Sequence, residues 1–195
     1  MAKVCLDPGH AGGNIDPGAV NPETGLQEAD VTLAVSKLVA KYLEAVGHEV
    51  ILTRTESEQA ETDSLAYRCN LANDWGADLM VSIHCNAAAS AQANGTEIFT
   101  TLGETEGDRL ATCVINQVTA TFPDLRLRAD WDDGDPDKEQ NFYILRYTDA
   151  PAALLEMAFI SNAQEAEKLA DPAWQNEMSR AIARGITDYF FYGKN

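Results

Sequence analysis

Four side chains from distant parts of the chain have the chemistry of a hydrolytic metal site. His10 follows the first strand-like segment, Val4-Cys5-Leu6, in Asp7-Pro8-Gly9-His10, and His84 closes the third, Leu79–Ile83, in Ser82-Ile83-His84-Cys85-Asn86. Glu28 opens a helical stretch after a Gly- and Pro-rich loop, and Glu156 lies inside Leu154-Leu155-Glu156-Met157-Ala158-Phe159. Two histidines and one carboxylate with an open position make the ligand set of a catalytic zinc. Such an ion brings the pKa of its water towards neutrality and polarises a carbonyl. A second carboxylate nearby can take the water proton and return it to a leaving amine. On this reading His10, Glu28 and His84 are ligands and Glu156 is the general base.

Each residue has an ordinary alternative when taken singly. A histidine at a strand end is commonly a surface or hydrogen-bonded group. A glutamate in a first helical turn is favoured by the helix dipole. Glu156 is harder to dismiss, because a carboxylate buried in an apolar strand is costly unless a cation or hydrogen bonds compensate it. No Lys or Arg neighbours it in sequence, so a metal ion is the economical answer. The third histidine, His48, follows Gly47 at a helix end and is expected in solvent.

The elements that must position these groups alternate. Val4-Cys5-Leu6 reads as a strand, followed by a loop from Asp7 to Gly25 that is long for a compact domain and so marked as functional. A helix runs from Glu28 with Val31, Val35, Leu38, Val39, Tyr42, Leu43 and Val46 on one face, and Gly47 stops it. Val50-Ile51-Leu52 is a strand. A helix from Ser64 to Trp75, capped by Asp63 or Ser64, has Leu65, Tyr67, Leu71 and Trp75 as its apolar positions. Leu79–Ile83 and Thr96–Thr101 are strands, and Glu106–Phe122 is a helix. Phe142–Leu145 and Ala153–Phe159 are the last strands. The final helix begins at Asp171-Pro172, with Trp174, Met178, Ile182, Ile186 and Phe190 as its buried stripe. Such alternation predicts an α/β fold: a twisted, mostly parallel central sheet with helices on both faces. Ligands of such sheets bind outside the carboxyl ends of the strands, where His10 and His84 fall.

The chain has 195 residues and 45% apolar content, which predicts a single domain over residues 1–195. Fourteen Lys and Arg against thirty-one Asp and Glu leave a net charge of −17. That surface repels phosphate backbones, which excludes nucleic acid as a partner class. It would also be repelled by anionic wall polymers. No apolar run reaches the length of a membrane span. No charged-then-apolar leader is visible, so action outside the cytoplasm would require release by lysis or a leader already trimmed. Cys5, Cys69, Cys85 and Cys113 form no CxxC pair and are expected as reduced, buried core residues. The Asp-rich stretch from Asp130 to Glu139 fails the register of a calcium loop and reads as a solvated loop.

These segments resemble a known family. Asp7-Pro8-Gly9-His10-Ala11-Gly12-Gly13, Gly25-Leu26-Gln27-Glu28, Ser82-Ile83-His84-Cys85-Asn86 and Leu155-Glu156-Met157-Ala158-Phe159-Ile160-Ser161-Asn162 are similar to the four motifs of the zinc-dependent N-acetylmuramoyl-L-alanine amidases of type 3. Leu52-Thr53-Arg54, Gly95-Thr96-Glu97 and Asn141-Phe142-Tyr143-Ile144-Leu145-Arg146 add to the likeness, which spans Lys3 to Tyr192. The resemblance implies zinc at His10, Glu28 and His84, catalytic Glu156, and hydrolysis of the amide between N-acetylmuramic acid and L-alanine in peptidoglycan, as an autolysin or endolysin acting on the cell wall. A monomer is expected. Ala11 stands where glycine is usual, the stretch from Arg126 to Gln140 is more acidic than the family pattern, and the family's wall-binding repeats are absent. Two other classes compete. A zinc exopeptidase of related architecture would need a cation to clamp a free carboxylate, and the sequence marks none. A non-catalytic wall-binding module would not need both histidines and both glutamates.

Overall fold

The computed structural model describes residues 1–192; the last three residues of the expected domain lie outside the described residues. The strands are β1 (Lys3–Pro8), β2 (Glu49–Leu52), β3 (Leu79–Asn86), β4 (Glu97–Thr100), β5 (Lys138–Glu139) and β6 (Ala152–Phe159). The helices are α1 (Glu28–Ala45), α2 (Leu65–Trp75), α3 (Glu106–Thr121), α4 (Tyr143–Arg146), α5 (Ala163–Ala170) and α6 (Pro172–Phe191), with a 3-10 turn at Ala60–Asp63. One six-stranded sheet has the order β2-β1-β3-β6-β4-β5. Every neighbouring pair is parallel except β4 against β6.

The two faces of the sheet are covered unequally. Leu6, Val81, Ile83 and Leu155 point into a large core closed by α1, α3 and α6. The alternate residues Cys5, Met80, Ala152 and Leu154 meet a smaller cluster with Cys69, Ala72, Ile144 and Leu145, under α2 and α4 only. Further along the same face come Asp7, Ser82, His84 and Glu156, because alternate strand residues share a face. The register supports this: Asp7 pairs with Ser82, Ser82 with Leu154, and His84 with Glu156.

Several expectations are corrected. The predicted strand Phe142–Leu145 is the single helical turn α4. Periodicity cannot type so short an apolar run, and the turn buries Ile144 and Leu145 together in the smaller cluster. The buried face of α2 is Arg68, Cys69 and Ala72 rather than the apolar stripe. Small side chains let that helix sit close to the sheet, Arg68 is paired beneath it, and Leu65 is left 48% exposed. The acidic stretch is solvated only at its tip: Asp137 is buried, and Lys138–Glu139 pair with Phe99 and Thr100 as β5. Helix α5 was not anticipated; its only large buried apolar residue is Leu169. His48 is half-buried against Phe190, with ring centroids 5.3 Å apart, rather than in solvent. The other elements match within a few residues, and all four cysteines are free, with only Cys113 less than buried.

Helices α3 and α6 cross at a glycine. A Cβ on Gly185 would lie 2.4 Å from Val114 Cα and 2.8 Å from Cys113 O, both backbone atoms that cannot yield without moving the helix. In an open helix, Gly to Ala gains up to about 1 kcal/mol. Here Gly185→Ala should instead lower stability by about 1–3 kcal/mol, the scale of overpacking; urea denaturation of the two proteins measures the sign.

Candidate metal centre and active site

Glu28 is the first residue of α1 and is almost fully buried, at 3% exposure. Four donors converge on its carboxylate. Oε2 accepts from the Ala19 backbone N–H at 2.9 Å and lies 3.0 Å from His10 Nε2. Oε1 accepts from the Cys85 backbone N–H at 2.9 Å and lies 2.9 Å from His84 Nδ1. The two imidazoles meet edge to face with centroids 5.1 Å apart. One ligand atom from each of His10, Glu28 and His84 falls within 4.8 Å of the others. A zinc ion with bonds of about 2.0–2.2 Å sets tetrahedral neighbours about 3.3 Å apart, so the donor set and its spacing fit such an ion.

The local backbone is built for this approach. His10 is the one non-glycine with positive φ among the described residues, at 66°, a left-handed conformation that costs on the order of 1–2 kcal/mol. A Cβ on Gly9 would sit 2.5 Å from His84 Cε1, and one on Gly18 would sit 2.5 Å from His10 Cδ2. Asp16 Oδ2 holds His10 Nδ1 at 2.8 Å, which turns Nε2 towards Glu28. Arg54 is fully buried and donates to the carbonyls of Gly9, His10 and Ala29 at 3.1, 2.9 and 2.8 Å. It ties the His10 loop to the first turn of α1. Beneath the centre, Asp7 accepts from Arg68, Thr53 and Ser82 at 2.7, 2.5 and 2.6 Å.

Electrostatics follow from this packing. Burial alone would raise the Glu28 carboxyl, but its bonds to His10 and His84 dominate and hold it far below the usual range. Burial works against the charged form of either imidazole, yet Glu28 outweighs it and raises both. Glu156 has the opposite fate. It pairs in register with His84 on one side and Glu97 on the other. Its Oε2 is buried with no hydrogen-bond partner. Burial, assisted by the Glu28 and Glu97 charges, pushes it up to about 7. Glu97 instead is held down: burial opposes its charge, but Lys138, Arg128 and Asn86 all bond to it. Among the described residues no Lys or Arg pairs with Glu156 itself.

His10, His84 and Glu156 therefore line one cleft, with Asp7, Asp16, Arg68 and Phe142 also in its walls. Glu28 sits behind the two imidazoles. Cys85 turns into the large core on the opposite face of the sheet, as alternation at the strand end predicts. Sequence reasoning gave no role to Asp16, Arg54, Glu97 or Arg68. Asp16 lies in the loop already marked as functional, and Arg54 and Glu97 lie in stretches that carried the resemblance.

The chain matches the N-acetylmuramoyl-L-alanine amidase family over residues 4–188. It belongs to that family. It is 33% identical over 197 residues to the N-acetylmuramoyl-L-alanine amidase CwlM of Bacillus licheniformis, covering 100% of this chain and 71% of that protein. The amidase AmiC2 of Nostoc punctiforme superposes with a TM-score of 0.85 at 32% identity over 97% of each chain. The catalytic domain of the amidase CwlV from Bacillus (Paenibacillus) polymyxa var. colistinus gives a TM-score of 0.85 at 31% identity, over 99% of this chain and 100% of that domain. All four candidate residues of this family member fall inside the matched span, and the likeness covers the sheet and the helices on both its faces.

The raised carboxyl of Glu156 has a thermodynamic consequence. Its folded pKa of about 7 lies above the ordinary 4.5. The fold therefore favours the protonated form. A penalty is present above the folded value, and it is relieved as pH falls through it and is gone below the ordinary value. In metal-free protein, Glu156→Gln should raise stability at pH 8 by up to about 3 kcal/mol, with the gain shrinking as the pH is lowered. Urea denaturation across that range after chelation checks it; a flat difference would mean that burial of the charge is not what raises the group.

Proposed function

We propose that this chain is a zinc-dependent hydrolase of the amide between N-acetylmuramic acid and L-alanine, with His10, Glu28 and His84 as ligands and Glu156 as general base. The observation that carries the reading is the juxtaposition of the three-ligand cluster with an unpartnered carboxylate oxygen in the same cleft. A zinc ion held there would lower the pKa of water towards neutrality and polarise the scissile carbonyl. Glu156 supplies the proton traffic: Oε2 takes a proton from the attacking water and delivers it to the leaving alanine nitrogen. A carboxyl near pH 7 is suited to both directions of transfer. Asp16 keeps His10 in the orientation that presents Nε2, a role that carboxylates commonly play behind ligand histidines. Family membership supports the substrate class. The exopeptidase alternative gains no support, since the one Lys or Arg lining the cleft among the described residues, Arg68, is already engaged by Asp7, Pro8 O and Thr62 O.

The wall is the proposed place of action, in keeping with the relatives' substrate. Among the described residues, no helix is long and apolar enough to cross a membrane. With a negative charge of this size, attraction between opposite charges cannot hold the protein on an anionic wall.

Mass spectrometry of digested peptidoglycan should show free muramic acid carboxyls and new alanine N-termini. Chelation should abolish the cleavage and added zinc restore it. Glu156→Gln should keep one zinc per chain while turnover falls by about 10²–10⁴, whereas His84→Ala should lose most of the metal. Near-normal cleavage by the Gln variant would remove Glu156 from the mechanism.

A further inference from the structure

The cleft of about 470 Å³ beside the metal centre extends past the site residues to a wall formed by Asp63, Leu65, Phe142 and Tyr143. Most charged groups in it are already committed. Asp7 and Arg68 hold each other, Asp16 holds His10, and His84 lies against Glu28. Glu156 is assigned to proton transfer. Asp63 differs from all of these. It is exposed, and no described residue makes a hydrogen bond or ion pair with its carboxylate. Nor is it used as a helix cap, because Ser64 Oγ accepts from Tyr67 N–H at the start of α2.

Three other residues of the cleft wall are carbon-rich and partly exposed, although Phe142 also packs against Phe99 and Tyr143 stacks on Tyr147. Leu65, Phe142 and Tyr143 are 48%, 39% and 40% exposed. An apolar sleeve beside a free carboxylate suits a methylene chain ending in an ammonium. The chain would lie along the leucine and the rings, and its charge would be shared between the carboxylate and the ring faces. A second carboxylate at this place would meet only repulsion from Asp63, and a neutral polar group would leave the sleeve without use.

We propose that Asp63 is a specificity residue that pairs with an aliphatic amine on the peptide side of the substrate, such as the side chain of a diamino acid, with Leu65, Phe142 and Tyr143 flanking its methylenes. This rests on the amidase reading of the cleft. It adds the charge of the preferred peptide: cationic at this subsite. The competing account of Asp63 is structural, an acidic residue that merely favours the N-terminus of α2. That role changes stability and does not depend on the substrate.

The test uses the zinc-loaded protein and two soluble muramoyl peptides that differ only in whether the side-chain amine of the diamino acid is free or N-acetylated. The wild type should cleave the free-amine peptide with a kcat/KM about two- to five-fold higher, the scale of a partly exposed ion pair. The difference should lie in KM and fade at high salt. In Asp63→Asn the ratio should fall to one, and in Asp63→Lys it should invert. A ratio near one in the wild type, or a ratio unchanged in Asp63→Asn, would overturn the inference while leaving the amidase reading intact. No cleavage of either peptide by the wild type would overturn the amidase reading, and the inference with it.

Discussion

A carboxylate stripped of water must be met by donors, and Glu28 sets that demand at the start of α1. Its four partners come from the Ala19 and Cys85 backbones and from two imidazoles. These lie in the long first loop and at the end of β3. Satisfying one buried group therefore fixes the mutual placement of a loop, a helix end and a strand end. Unpaired burial would cost several kcal/mol, a large share of the 5–15 kcal/mol that holds a typical domain together. The same demand gives the site its polarity. A negative centre flanked by imidazole nitrogens favours a cation between them, and the raised affinity of both histidines for a proton is another expression of that preference.

The convergence is not free of strain, and the surrounding structure absorbs it. His10 sits in a left-handed conformation that its Cβ disfavours. Glycines at positions 9 and 18 remove the side chains that would otherwise collide with the imidazoles. Arg54 then binds four carbonyls, those of Gly9, His10, Ala29 and Glu56, while having no exposed surface of its own. A guanidinium is well matched to that task, since its planar fork presents several donors in fixed directions. The Asp7–Arg68 pair repeats the logic one layer down, with Thr53 and Ser82 completing the carboxylate's bonds. Buried ions of this kind are stable only when each is bonded on several sides.

Much of this was legible in the sequence because the chemistry announces itself through residue type. Glu156 in an apolar strand, histidines at the ends of strand-like segments and an over-long glycine loop all violate the habits of a passive core. The α/β order was legible for a similar reason, since strands and long amphipathic helices have different periods. What could not be read were features set by tertiary partners. The run Tyr143–Arg146 has no period of its own, and its helical turn is decided by the pocket that receives Ile144 and Leu145. The inner face of α2 looks wrong on a hydrophobic scale, because Arg68 is buried by its partner Asp7 rather than by its own character. Asp16, Arg54 and Glu97 gain their roles only when distant backbone arrives beside them.

The unequal cover of the sheet explains why the open cleft lies where it does. On one face, three long helices seal the strands out to their carboxyl ends. On the other, α2 and the single turn α4 close only the first part of β1, β3 and β6. Residues further along those strands keep the same orientation; Asp7 and Ser82 are still buried, and the cover thins only at His84 and Glu156. Polar side chains appear there in succession: Asp7 and Ser82 first, then His84 and Glu156. α4 itself is only the turn Tyr143–Arg146. Had it been the strand that the sequence suggested, Ile144 and Leu145 would have pointed to opposite sides, and the smaller core would have lost one of them. A helix of one turn does both jobs: it seals the apolar stretch beneath it and leaves Phe142 and Tyr143 on the rim of the cleft.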